Sequence, residues 1–162
     1  MAAHSPKSIS AAQARLRHER IERIALSVGF VGKVEYRHVY SQTGGAQYGR
    51  GATQEDDVLT VYAEAFERDG NPGDFSLDAM IAHERGHQVL ARNPRLARRV
   101  AGLPLAAEEI LASLVGAMLC KHERDRMALY AKAAAELLEH GQSRKQVTRQ
   151  LQALWDLLVE LL

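Results

Sequence analysis

Among 162 residues there is one cysteine, Cys120, so no internal disulfide can staple the fold. A lone thiol fits a reducing compartment. Its place at the end of an apolar run from Ala117 reads as a small buried hydrophobe. Charge of one sign is also missing: 21 basic and 20 acidic side chains leave a net +1. That balance removes the electrostatic case for nucleic acid or an anionic membrane as the main partner. No apolar run approaches the roughly 18 residues of a membrane span. The N-terminal MAAHSPKSISAAQ lacks the roughly 7–15-residue apolar segment of a secretory leader. With four prolines and 12 glycines there is no low-complexity tract, and no internal repeat is visible. What is present is 46% apolar and 25% charged residues, enough for one globular domain over residues 1–162, expected in the cytoplasm.

The pattern along the chain is helix, two strands, four helices. Residues 10–28 carry Leu16, Ile21, Ile24, Ala25 and Val28 on a helical period, with Ser10 as N-cap and Gly29 as stop. Residues 31–41 alternate and read as a strand, as does Val58 to Phe66 with Leu59, Val61, Ala63 and Ala65 on one face. Between them, residues 42–57 hold four glycines and are either a mobile loop or a broad, irregular hairpin. Residues 68–74, RDGNPGD, are turn chemistry. Ser76 caps a helix over 77–92 that stops at Asn93-Pro94, and a basic connector follows, with Arg92, Arg95, Arg98 and Arg99. Further helices are expected over 105–122, 124–140 and 143–162, the last opened by a Ser143–Gln146 capping box. The class is α+β: a mostly helical single domain with a small sheet before the 77–92 helix.

That helix carries His83-Glu84-Arg85-Gly86-His87. His-Glu-Arg occurs three times, also at His18 and His122, but only the middle copy places a second histidine four residues on. Residues four apart share a helical face, so two imidazoles can aim nitrogens at one point, as a zinc ion requires. Glu84 projects beside that point, positioned to take a proton from an activated water. Gly86 weakens a helix by about 1 kcal/mol relative to Ala, which suggests a neighbour packed close against it. A third ligand is available at Glu108-Glu109, at the start of the apolar helix AAEEILASLVGAML. Successive helical positions diverge by about 100°, so one of the two is expected to face the histidines and the other to serve the helix N-terminus.

His83-Glu84-x-x-His87 followed 22 residues later by Glu109-x-x-x-Ser113-x-x-Gly116 resembles the gluzincin metallopeptidases, and most of all the small ImmA/IrrE-type members. Glu109, Ala112, Ser113, Gly116, Ala117 and Leu119 occupy the places of that family's second-helix pattern, and the likeness spans roughly residues 55–120. The family often has Asp or Asn four residues after the ligand Glu; Ser113, a shorter donor and acceptor, stands there. The C-terminal helical pair, residues 123–162, matches nothing in the pattern. The resemblance implies a zincin-like fold, with Zn2+ held by His83, His87 and Glu109 and Glu84 as general base. The implied reaction is hydrolysis of a peptide bond in a peptide or protein substrate. An oxyanion donor would come from Tyr36, His38, Tyr40, Tyr48, Tyr62 or His122, and the strand from Val58 offers an edge for an extended peptide.

Two other readings remain open at this level. One is a zinc-binding regulatory or latent peptidase-like protein acting on one specific partner, with 42–57 as lid or docking segment. The other is a helical interaction protein with a coincidental HExxH. The second draws on the C-terminal stripe Leu151, Leu154, Trp155, Leu158, Leu161 and Leu162, which is either core or the seam of a homodimer.

Overall fold

The computed structural model describes residues 5–41, 44–71 and 74–162. Helix α1, Ala11–Ser27, opens with a reciprocal cap: Ser10 Oγ accepts the Gln13 N–H at 3.1 Å, and the Gln13 side chain accepts the Ser10 N–H at 2.9 Å. It ends at Val28, and Gly29 adopts φ 78°. Ile21, Ile24, Ala25 and Val28 are buried, whereas Leu16, expected with them, is 61% exposed. Five residues before Ile21 it sits about 140° round the helix, off the core face.

The sheet holds three strands in the order β1-β3-β2, with β1 Lys33–Arg37 parallel to β3 Val58–Tyr62 and β2 Ala46–Gly49 antiparallel to it. The glycine-bearing stretch is therefore the irregular hairpin rather than an open loop. It contains β2 and a 3-10 turn at Gln54–Asp56; positions 42 and 43 lie outside the described residues. β1 is shorter than the expected 31–41. β3 stops at Tyr62 because Ala63–Arg68 forms helix α2, whose Ala, Glu and Arg residues favour helix. Ala63 and Ala65 are buried as anticipated, but on a helix. The RDGNPGD turn is seen at its ends, where Asn71 N–H bonds Arg68 O at 3.0 Å; residues 72 and 73 lie outside the described residues.

Helix α3, Leu77–Arg92, has the expected bounds, and Ser76 Oγ accepts the Ala79 N–H at 3.0 Å. The basic connector is a short helix, α4 Pro94–Val100, started by the Asn93 side chain accepting from Arg95 and Leu96 with proline at the first position. Then come α5 Leu105–Leu119, α6 Glu123–Glu139 and α7 Arg144–Leu161, the last with its Ser143–Gln146 capping box in place. The result is a mostly helical α+β domain. Among the described residues no helix is long and apolar enough to cross a membrane.

One apolar cluster lies between the sheet, α1 and the first half of α3; a second joins α5, α6 and α7, and Leu119 and Trp155 touch both. Leu151 and Leu158 are buried in the second cluster, with Leu154, Trp155 and Leu161 packed against it. Most of the C-terminal stripe thus packs inward, while Leu162 is 55% exposed. The contact that positions the site is α3 on α5. A Cβ on Gly86 would be driven into the Ala112 carbonyl, and one on Gly116 would stand 2.8 Å from Ala82 O. Each glycine admits the other helix's backbone.

Candidate metal centre

Because α3 and α5 touch backbone to backbone, side chains of ordinary length meet across them. His83 Nε2 lies 3.0 Å from Glu109 Oε2, and His87 Nε2 lies 3.2 Å from Glu109 Oε1 and 3.2 Å from His83 Nε2. The imidazole rings stand at 88° with centroids 4.8 Å apart. With bonds of ~2.0–2.1 Å, two ligands of a tetrahedral zinc are separated by roughly 3.3–3.4 Å. The nearest atom pairs are within a few tenths of an ångström of that spacing, the two imidazoles meeting different Glu109 oxygens, and one ligand atom from each residue lies within 4.8 Å of the others.

The outer contacts strengthen the fit. Ser113 Oγ lies 2.9 Å from His83 Nδ1, and a Glu108 oxygen 3.3 Å from His87 Nδ1. In the tautomer where each Nδ1–H donates outward, both Nε2 lone pairs and both Glu109 oxygens face one point with no proton among them. Such a donor set suits a divalent cation.

Ionisation at the site follows from burial and these contacts. Burial pushes the His83 pKa down. It pulls at His87 as well, but the Glu109 contact, the Glu84 charge and Glu108 outweigh it and raise that pKa. In the metal-free chain, where the imidazoles instead turn N–H groups on Glu109, the contacts with His83 and His87 hold that carboxyl well below the usual range, against partial burial. Glu84, one helical step from His83, accepts the Tyr48 N–H at 2.8 Å, and burial pushes its pKa up to about 7. A carboxyl group poised there can both take and return a proton near neutrality.

All four residues named from the sequence line one cavity of about 410 Å³, together with β2, Phe75, Met80, Glu108, Leu129 and Lys132. Glu108 was expected to serve only the helix end. Its flexible side chain instead reaches His87 although its Cβ diverges from that of Glu109. Ser113, despite its short reach, is fully buried against His83 because Gly86 and Gly116 bring its helix close. Lys132 on α6 went unnamed; nothing local in the sequence links it to residues some fifty positions earlier.

Of the oxyanion candidates only Tyr48 borders the cavity, and its hydroxyl donates to Asp57 at 2.9 Å. His122 borders a separate cleft with Cys120, Asp78 and Asp125, and His18 bonds the Val34 carbonyl at 2.9 Å. β3 lies between the other strands, so the edge beside the cavity is β2, which corrects the strand named for peptide pairing. Arg92 does not belong to the exposed basic group: it pairs with buried Asp57, leaving Arg95, Arg98 and Arg99 outward on α4.

Compared with protein-family models, curated proteins and solved structures, the chain matches none.

Proposed function

We propose that this chain is a zinc-dependent metallopeptidase of the gluzincin type, acting on a peptide or protein substrate in a reducing, cytoplasmic setting. The observation that carries the reading is the convergence of His83, His87 and Glu109 at 3.0–3.2 Å beside Glu84, inside an open cavity. A zinc ion held by those three would supply Lewis acidity, polarising a carbonyl and drawing the pKa of a water toward about 7.

The chain's own groups do the rest. Glu84 accepts a proton from the attacking water and returns it to the leaving amine, work that suits its raised pKa. The Tyr48 N–H holds the Glu84 carboxylate by one oxygen and leaves the other for water. Ser113 and Glu108 keep the imidazoles in the ligating tautomer. β2 lies along the cavity with Gln47 exposed, and an extended peptide can add to that edge.

Metal analysis and a peptidase assay test this together. Purified chain is expected to hold about one zinc, as a preformed three-ligand site does. Glu84→Gln should keep the metal and lower hydrolysis by about 10²- to 10⁴-fold. A Glu84→Gln variant that cleaves at the wild-type rate refutes the general-base role, and a wild type with no zinc affinity refutes the whole reading.

A further inference from the structure

The cavity is lined by three carboxylates, Glu84, Glu108 and Glu109, and by a single lysine or arginine, Lys132. Lys132 is half-buried on α6, one turn after the buried Leu129, which lines the same cavity. Its ammonium lies over the Phe75 ring, 5.5 Å from the centroid, and no carboxylate of the described residues ion-pairs with it. So a cation stands inside an acidic cavity, near the reacting groups, held by an aromatic face and left without a counter-ion. Burying charge unpaired is costly, and the cost is relieved when an anion arrives. Apart from the metal point itself, the other charged groups lining the cavity are carboxylates, which repel an anion.

We propose that Lys132 is the substrate-recognition group of this site, its ammonium binding a carboxylate carried by the peptide, at the chain terminus or on an acidic side chain beside the scissile bond. The apolar surface of Phe75, Met80 and Leu129 next to it accepts the hydrocarbon part of the same residue. This role rests on the peptidase reading for its substrate, but the capture of a carboxylate is testable without turnover.

The probe is a matched peptide set, assayed with the zinc-loaded full chain. Its members are one sequence with a free C-terminal carboxylate, the same sequence amidated, and amidated versions carrying internal Glu or Gln. Wild type should prefer a carboxylate-bearing member, and whether the terminus or the side chain confers the preference identifies its source. Lys132→Met should erase the preference by raising KM on the order of 10- to 100-fold for that member, as a charged hydrogen bond implies, while KM for the neutral peptide rises far less. Lys132→Arg should restore it. The same peptides titrated against zinc-loaded Glu84→Gln protein, with and without Lys132→Met, report binding alone. If wild type cleaves nothing yet that titration shows the Lys132-dependent preference, peptide hydrolysis falls and carboxylate recognition stands. Equal handling of neutral and carboxylate peptides overturns the recognition role. So does an equal loss of kcat on every peptide, which would put the ammonium on the reacting carbonyl.

Discussion

Helix α3 carries two polar clusters, and they are built on opposite terms. Toward the sheet, fully buried Asp57 receives five donors: Arg92 through Nε and a terminal nitrogen, the Gln88 amide, the Tyr48 hydroxyl and the Gly51 N–H. Gln88 spends its remaining capacity on Val31 and Arg85. The charges at its centre, Asp57 and Arg92, answer each other, and Arg85 at its margin is met by the Gln88 amide oxygen and the Val28 carbonyl. Toward α5, His83, His87 and Glu109 gather acceptors around one point and supply no positive centre of their own. The first cluster is finished by the chain; the second, read as a metal centre, would be finished by a cation from outside. Tyr48 belongs to both, its hydroxyl on Asp57 and its N–H on Glu84, so the complete cluster braces the incomplete one. A network that holds a fold and a network that binds can be told apart by this accounting of donors and acceptors.

The harshest way to break the contrast is Asp57→Ala. It leaves the half-buried Arg92 guanidinium with carbonyl acceptors only and the Gln88 and Gly51 donors short of a partner, and should cost about 3–5 kcal/mol in urea or thermal unfolding. In the folded fraction zinc affinity should change little. If zinc is lost in step with stability, the clusters are one unit and the distinction fails.

Ser113→Ala acts on the other side and more gently. Removing the hydroxyl from His83 Nδ1 should weaken zinc about 10- to 100-fold in a competition with a chelator, with unfolding of the metal-free chain barely shifted. Unchanged affinity would show that packing alone orients the ring.

Acid is the mildest perturbation, and it sharpens the comparison without altering a residue. For Asp57, burial pushes the pKa up, but the hydrogen bonds of Arg92, Gln88, Gly51 and Tyr48 outweigh it and hold the group well below its ordinary 3.8. Its contribution to stability is complete above the unfolded value and is lost as pH falls below it toward the folded one. Zinc, by contrast, competes with protons for imidazoles and should leave as pH drops through about 5–6. Metal release near that range with circular dichroism intact, and unfolding only below about pH 4, is the expected order. Simultaneous loss would overturn it.

The centre of the candidate site was legible because His83, Glu84 and His87 lie within one helical turn; the apolar helix offered Glu108 or Glu109 as the third group, and the family likeness chose Glu109. Residue spacing on one element encodes a face directly. Lys132 and Asp57 were not legible, since their positions depend on how α6 and the hairpin pack and leave no local period. Helix α4 had its signals, an asparagine cap followed by proline, which serve equally as the end of α3. α2 was mistaken for strand because alternating Ala63 and Ala65 fit either geometry until the neighbours decide. Tyr48 sits on a four-residue strand among glycines, too short for alternation to register.

Gly86 and Gly116 leave a consequence for how such a centre can vary. The gap between the two ligand-bearing helices is gauged by a hydrogen atom on each side, so the bite of the site is a property of main chain rather than of surrounding side chains. The cavity walls other than Glu108 can therefore change without moving these groups, whereas a single methyl at either glycine acts as a wedge that draws Glu109 away from both histidines.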